Sequence, residues 1–170
     1  MKLSALSFVA ALSIAAFGSP QDVNDAQIAA IVVSANQVDI DAGALAARMS
    51  TNADVKKFAR QMVTDHTGVN KAAVDLVTKL KVTPQESSTS QGLTEGGRKN
   101  IDKLKTLSGA AFDKAYVDNE VAYHTAVLAA VDNVLIPSAK NAELKALLVK
   151  VRPAFVAHLE HAKHIQAMGQ

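Results

Sequence analysis

Four stretches of about 27 residues each carry a single apolar stripe at helical spacing, and together they use up most of the chain. In the first, Val23 to Met49, the stripe is Ile28, Ile31, Val32, Ala35, Val38, Ala42, Leu45 and Met49, entered through Pro20-Gln21-Asp22 with Asp22 as N-cap. The second, from about Asp54 to Lys81, sets Val55, Phe58, Met62, Val69, Ala73, Leu76 and Leu80 on one face, with Asn52 or Asp54 as cap. The third runs from about Ala110 to Ile136 and stops at Pro137. The fourth runs from about Ala139 to Met168, with a kink predicted at Pro153. Between the second and third, Val82 to Gly97 is rich in Gln, Ser, Thr and Gly and reads as the longest loop, followed by a short amphipathic helix over Asn100–Leu107. Helices with one apolar face must bury it against each other, so the predicted fold is all-α: a four-helix bundle with a long crossover connection and a short extra helix between the second and third long helices.

The first eighteen residues read differently. Lys2 precedes an uncharged apolar stretch from Leu3 to Phe17, and Ala16-Phe17-Gly18 places small residues where a signal peptidase cuts. The expectation is a signal peptide over residues 1–18, then one bundle domain over residues 19–170. That product would be exported to the periplasm or outer envelope and would keep no stable transmembrane span. Composition narrows the function classes. Cysteine is absent, which excludes disulfides, thiolate metal sites and a Cys nucleophile. A net charge of +2, from 18 basic and 16 acidic residues, gives no electrostatic footprint for nucleic acid.

Chemistry is predicted where the apolar stripes are interrupted. At 100° per residue, Asp39 falls inside the first stripe while Asp41 faces solvent. His66 lies in line with Met62 and Val69, with Asp65 at the edge. Glu120 sits between Tyr116 and Tyr123, with His124 one turn on and nearer the rim. His158 follows Phe155, and His161 lies three residues further; Glu160 and His164 point outward. If the 82–109 connection crosses the bundle, Asp39, His66, Glu120 and His158 reach one depth within roughly 9 Å along its axis. Unpaired, such buried groups cost several kcal/mol, so they must compensate one another or share a cation. Imidazoles with carboxylates suit Zn²⁺, Fe, Cu²⁺ or Mn²⁺. The predicted ligands are Asp39, His66, Glu120, His124, His158 and His161.

The segments Val38-Asp39-Ile40-Asp41-Ala42-Gly43, Met62-Val63-Thr64-Asp65-His66, Leu107-Ser108-Gly109-Ala110-Ala111-Phe112-Asp113, Glu120 to His124 and His158-Leu159 resemble the exported ferritin-like proteins of the DUF4142 family. The resemblance implies a ferritin-like bundle in the bacterial periplasm or envelope and implies no reaction. It departs from the di-iron pattern of Glu-x-x-His on two helices: Val63 stands three before His66, and the fourth helix offers His158-x-x-His161. A mononuclear, His-rich site fits these residues better. Three functions follow as expectations: an exported protein that binds or buffers a transition metal; a redox enzyme, such as an oxidase or peroxide scavenger, at the same site; or an interaction module whose polar cluster only fixes helix register. No residue pattern identifies a protein partner.

Overall fold

The computed structural model describes residues 23–169, so the expected export signal and the Asp22 cap lie outside the described residues. Among the described residues, helix α1 spans Asp25–Met49, α2 Ala53–Leu80, α3 Ser88–Leu104, α4 Gly109–Ala130, α5 Ile136–Ser138 and α6 Ala142–Met168, and no strand forms. Local chemistry sets the starts. Asn24 and Gln27 close a reciprocal capping box on α1, and Asn52 accepts the N–H groups of Asp54 and Val55 at the head of α2. Asn141 caps α6 in the same way.

The apolar stripes meet in two clusters stacked along the bundle. One gathers Ile28, Ala73, Leu93, Val131 and Leu144. The other gathers Ala46, Val55, Leu104, Phe112 and Ile165. The helix ends they join make α1, α3 and α6 run one way and α2 and α4 the other. Helices α1 and α2 pack as one antiparallel pair and α4 and α6 as a second; α2 against α6 and α1 against α4 close the bundle. The third long helix therefore starts beside the residue-50 turn, as a crossover requires. Asp25 ties the far end, its carboxylate accepting the N–H groups of Lys140 and Asn141 at 2.9 Å each.

Two expectations are corrected. The Gln/Ser/Thr/Gly-rich stretch expected to be a loop is mostly α3, a 17-residue helix that carries the crossover along the flank of α1. Its start is fixed by a Ser87–Ser90 capping box, and its buried positions, Ser90, Leu93 and Leu104, keep helical spacing. Glycine serves contact here: a Cβ on Gly97 would lie 2.7 and 2.9 Å from the Val38 methyl groups. The second correction concerns α4, which does not stop at Pro137 but widens into a π turn over Val131–Leu135 and continues through α5. Proline has no N–H for the carbonyl four residues back, and in the wider turn Ile136 donates to Val131 five back. Helix α6, by contrast, continues through Pro153.

Helix α1 is long and apolar enough to cross a membrane by length and composition, a test that signal sequences and core helices also pass. Over half of its most apolar window is buried in the bundle, as a core helix requires.

Close approach of α1 and α2 depends on Gly43, where an added Cβ would sit 2.8 Å from the backbone oxygen of Ala59. Backbone cannot step aside cheaply, so Gly43→Ala is expected to destabilise the protein by about 1–3 kcal/mol. Gly68, in the middle of α2, has nothing within 4 Å of the same added atom. Gly68→Ala is expected to stabilise by about 0.5–1 kcal/mol through lost chain entropy in the unfolded state. Urea midpoints that move in opposite directions for these two variants test the assignment.

Candidate metal centre

Each of the four bundle helices is apolar, then polar, then apolar along its inner face. In α1, Ile28–Val32 and Ala42–Ala46 flank Asn36 and Asp39; in α2, Met62 and Ala73 flank His66. In α4, Phe112–Val117 and Val127–Val131 flank Glu120 and His124; in α6, Phe155 and Ala162 flank His158. The polar positions form one layer between the two apolar clusters. Asp39, Glu120 and His124 are each 1% exposed, His158 2% and His66 3%. Among the described residues no Lys or Arg is buried with them.

The three imidazoles are oriented from outside the cluster. His66 Nδ1 lies 2.7 Å from Asn36 Oδ1, and the Asn36 amide nitrogen donates to the Val32 carbonyl at 2.8 Å. The Asn36 oxygen is thus the acceptor, and His66 carries its proton on Nδ1. His124 Nδ1 lies 3.1 Å from the backbone oxygen of Glu120, and His158 Nε2 lies 2.9 Å from Asp65 Oδ2. Carbonyl and carboxylate oxygens only accept, so those nitrogens hold the protons too. The lone pairs left over, on His66 Nε2, His124 Nε2 and His158 Nδ1, have no hydrogen-bond partner in the protein. Each of the three side chains offers a ligand atom within 4.8 Å of the other two. This is how metal-ligating histidines are held, with the second nitrogen of each ring donating to an outer acceptor.

Asp39 approaches the same nitrogens, while Glu120 Oε2 lies 3.5 Å from His124 Nδ1, on the protonated side of that ring. Asp39 Oδ2 lies 3.0 Å from His66 Nε2 and 3.4 Å from His124 Nε2, yet forms a hydrogen bond with neither. Asp39, Glu120 and His124 form a second converging trio. Glu120 and the Tyr116 hydroxyl are buried side by side, close enough to interact but without a well-aligned hydrogen bond. Burial pushes the Asp39 carboxyl up to about 7, and burial with repulsion from Asp39 holds Glu120 well above its usual range. Burial, with smaller contributions from the neighbouring imidazoles, drives His66 down to about 2; burial and then His158 lower His124 to about 4. Burial also lowers His158, opposed by Asp65. The imidazoles are therefore neutral near pH 7, and the Asp39–His66 contact is not an ion pair.

Distances test the fit of a cation. The ring centroids form a nearly equilateral triangle, 5.6 Å for His66–His124, 5.2 Å for His66–His158 and 5.5 Å for His124–His158. An ion about 2.1 Å from three imidazole nitrogens at tetrahedral angles would set the centroids about 5.2 Å apart and neighbouring ligand atoms about 3.4 Å apart. The ring spacing is compatible with that frame, and the Asp39 oxygen lies 3.0 Å from His66 Nε2 and 3.4 Å from His124 Nε2. A divalent ion also balances two ionised carboxylates. The residues fit an ion held by His66, His124 and His158, with the Asp39, Glu120 and His124 set sharing the His124 ring.

Five of the six predicted ligands come together. His124, expected nearer the rim, is fully inside. His161 is the exception: it is only half-buried, lies in neither converging group, and packs edge-on against Phe58 at 5.1 Å. Asn36 and Asp65 were not predicted to orient ligands. Asn36 stands three residues before Asp39 and one turn after Val32, a position that marks an inward amide. Asp65 gives no comparable signal, because its partner is on another helix. Tyr116 and Tyr123 are core aromatics as expected, and the Tyr123 hydroxyl donates to the Ala35 carbonyl at 2.8 Å.

A family model described as a domain of unknown function, DUF4142, matches residues 11–165. No curated protein matches the chain, and no solved structure does.

Proposed function

The chain belongs to the DUF4142 family, and from its buried cluster we propose that it is an exported, ferritin-like protein that binds one transition-metal ion per bundle, buffering or sensing that metal in the periplasm or envelope. One observation carries the reading: three buried imidazoles, each held by an outer acceptor on one nitrogen and unpartnered on the other, bring ligand atoms within 4.8 Å of one another beside two buried carboxyls. A hydrogen-bond network that only fixes helix register leaves few buried atoms unpaired, because each unpaired buried group costs about 1–3 kcal/mol. The ion would neutralise the carboxylates and take up the lone pairs at once. Imidazole with carboxylate donors suits Zn²⁺, Fe²⁺, Cu²⁺ or Mn²⁺. Export rests on the signal pattern over residues 1–18.

The test is elemental analysis of tag-free protein after incubation with each of the four ions and gel filtration. One equivalent of at least one ion, removable by chelator, is the expected result. Substoichiometric content with all four would sink the proposal and return the cluster to a structural role.

A further inference from the structure

Resting on the metal reading, we infer that the cluster also takes a small apolar diatomic molecule, of dioxygen's size, lodged in a chamber against its His66–His124 face. A cavity of about 30 Å³ opens there, bounded by Asp39, His66 and His124 on the cluster side. The rest of its wall is chiefly aliphatic or aromatic, including Val32, Val127, Val131, Leu135, Leu148 and Phe155. Water needs about 10–15 Å³ and two to four polar partners. The chamber has the room, and once an ion takes the His66 and His124 nitrogens and one Asp39 oxygen, Asp39 Oδ1 is the one side-chain polar atom of its wall left unpartnered, fewer than a water needs. Its two other polar side chains are already engaged, Tyr123 with the Ala35 carbonyl and Asn36 with His66 and the Val32 carbonyl. The lone pairs of His66 and His124 are the ones that the ion would take.

The wall also shows how the space arises. Val131 and Leu135 are the first and last residues of the π turn, so the widened stretch of α4 forms part of the chamber. Such turns inside α-helices occur frequently at functional sites. Phe155 stacks flat on His66, 7° from parallel with centroids 5.2 Å apart, and joins the chamber wall to a ligand ring. An apolar space beside the His66 and His124 rings would admit a small ligand that needs no hydrogen bond.

Xenon and nitric oxide are the probes. Crystals of the Zn²⁺-loaded protein under xenon pressure should show one xenon site between Val127, Leu148 and His124. Val127→Ile and Ala130→Val, which fill the space by one and two carbons, should each abolish it. Nitric oxide should bind the Fe²⁺-loaded protein with an iron–nitrosyl EPR signal, and both variants should slow its association at least about tenfold with iron content unchanged. Ordered water in place of xenon, or association rates that neither variant changes, would overturn the inference. Failure of the metal reading has its own signature: no ion by elemental analysis, whatever xenon does in the metal-free protein.

Discussion

Leucine in place of His66, His124 or His158 is expected to weaken metal binding by more than about 100-fold, whereas His161→Ala leaves it unchanged. Loss of an outer partner that orients a ligand costs about 10–100-fold, and loss of the ligand itself costs more. Asn36→Leu and Asp65→Ala should therefore fall between the two groups. Asn36 sets which His66 nitrogen is free, and Asp65 does the same for His158. The loss also appears as stability. With free ion well above the dissociation constant, a 100-fold weaker site forfeits about 2.7 kcal/mol of ligand-linked stabilisation. For a bundle of this size that lowers Tm by about 5–10 °C in the presence of the ion. Titration calorimetry and paired melting curves with and without chelator check both numbers. Uniformly small effects across the three histidines would show that they do not share an ion.

The second large effect has opposite signs in the metal-free and metal-loaded protein. Asp39 is a buried acid whose pKa is raised to about 7, above its unfolded value of 3.8. The folded state thus holds a proton that the unfolded chain releases. Its contribution to stability is full below pH 3.8, falls as pH rises, and is lost once pH passes about 7. Asp39→Asn removes that loss and supplies an amide N–H toward the His66 Nε2 lone pair. In chelator-treated protein the variant should be more stable than the wild type at pH 8 by on the order of a few kcal/mol. The advantage should shrink toward pH 4. With saturating ion the order inverts, because a neutral amide is a far weaker ligand for a cation than a carboxylate. Urea denaturation at pH 5 and pH 8, with and without metal, gives all four comparisons. A variant less stable than wild type under every condition would mark Asp39 as a plain structural hydrogen-bonding group.

That inversion is what separates a binding site from a scaffold. Proteins hold strained or unsatisfied groups where function needs them and offset the cost elsewhere. Here the offset comes from two apolar clusters, one on each side of the polar layer.

Much of this was legible in the residues. Each long helix interrupts its apolar stripe once, and spacing together with a crossover places Asp39, His66, Glu120 and His158 at one level. Four things were not. Helix α3 was hidden by composition, since Gln, Ser, Thr and Gly weigh against a helix, while the Ser87–Ser90 box and the fit of Gly97 against Val38 favour it through tertiary contact. The depth of His124 depended on how α4 is rotated against α1 and α6, which a helical wheel does not contain. The failure of His161 has the same origin: three residues beyond His158 it turns some 60° aside, far enough to meet Phe58 instead of the cluster. Asp65 lay in plain view beside His66, yet its hydrogen bond runs to the histidine of another helix.

X-ray absorption at the metal edge, combined with anomalous diffraction from the loaded protein, tests the central assignment most directly. One ion at the level of Asp39 and His158, with three imidazole nitrogens and one carboxylate oxygen at about 2.0–2.1 Å, is the predicted result. An ion found only on the surface, near His161 or His164, or no ordered ion at all, would contradict it.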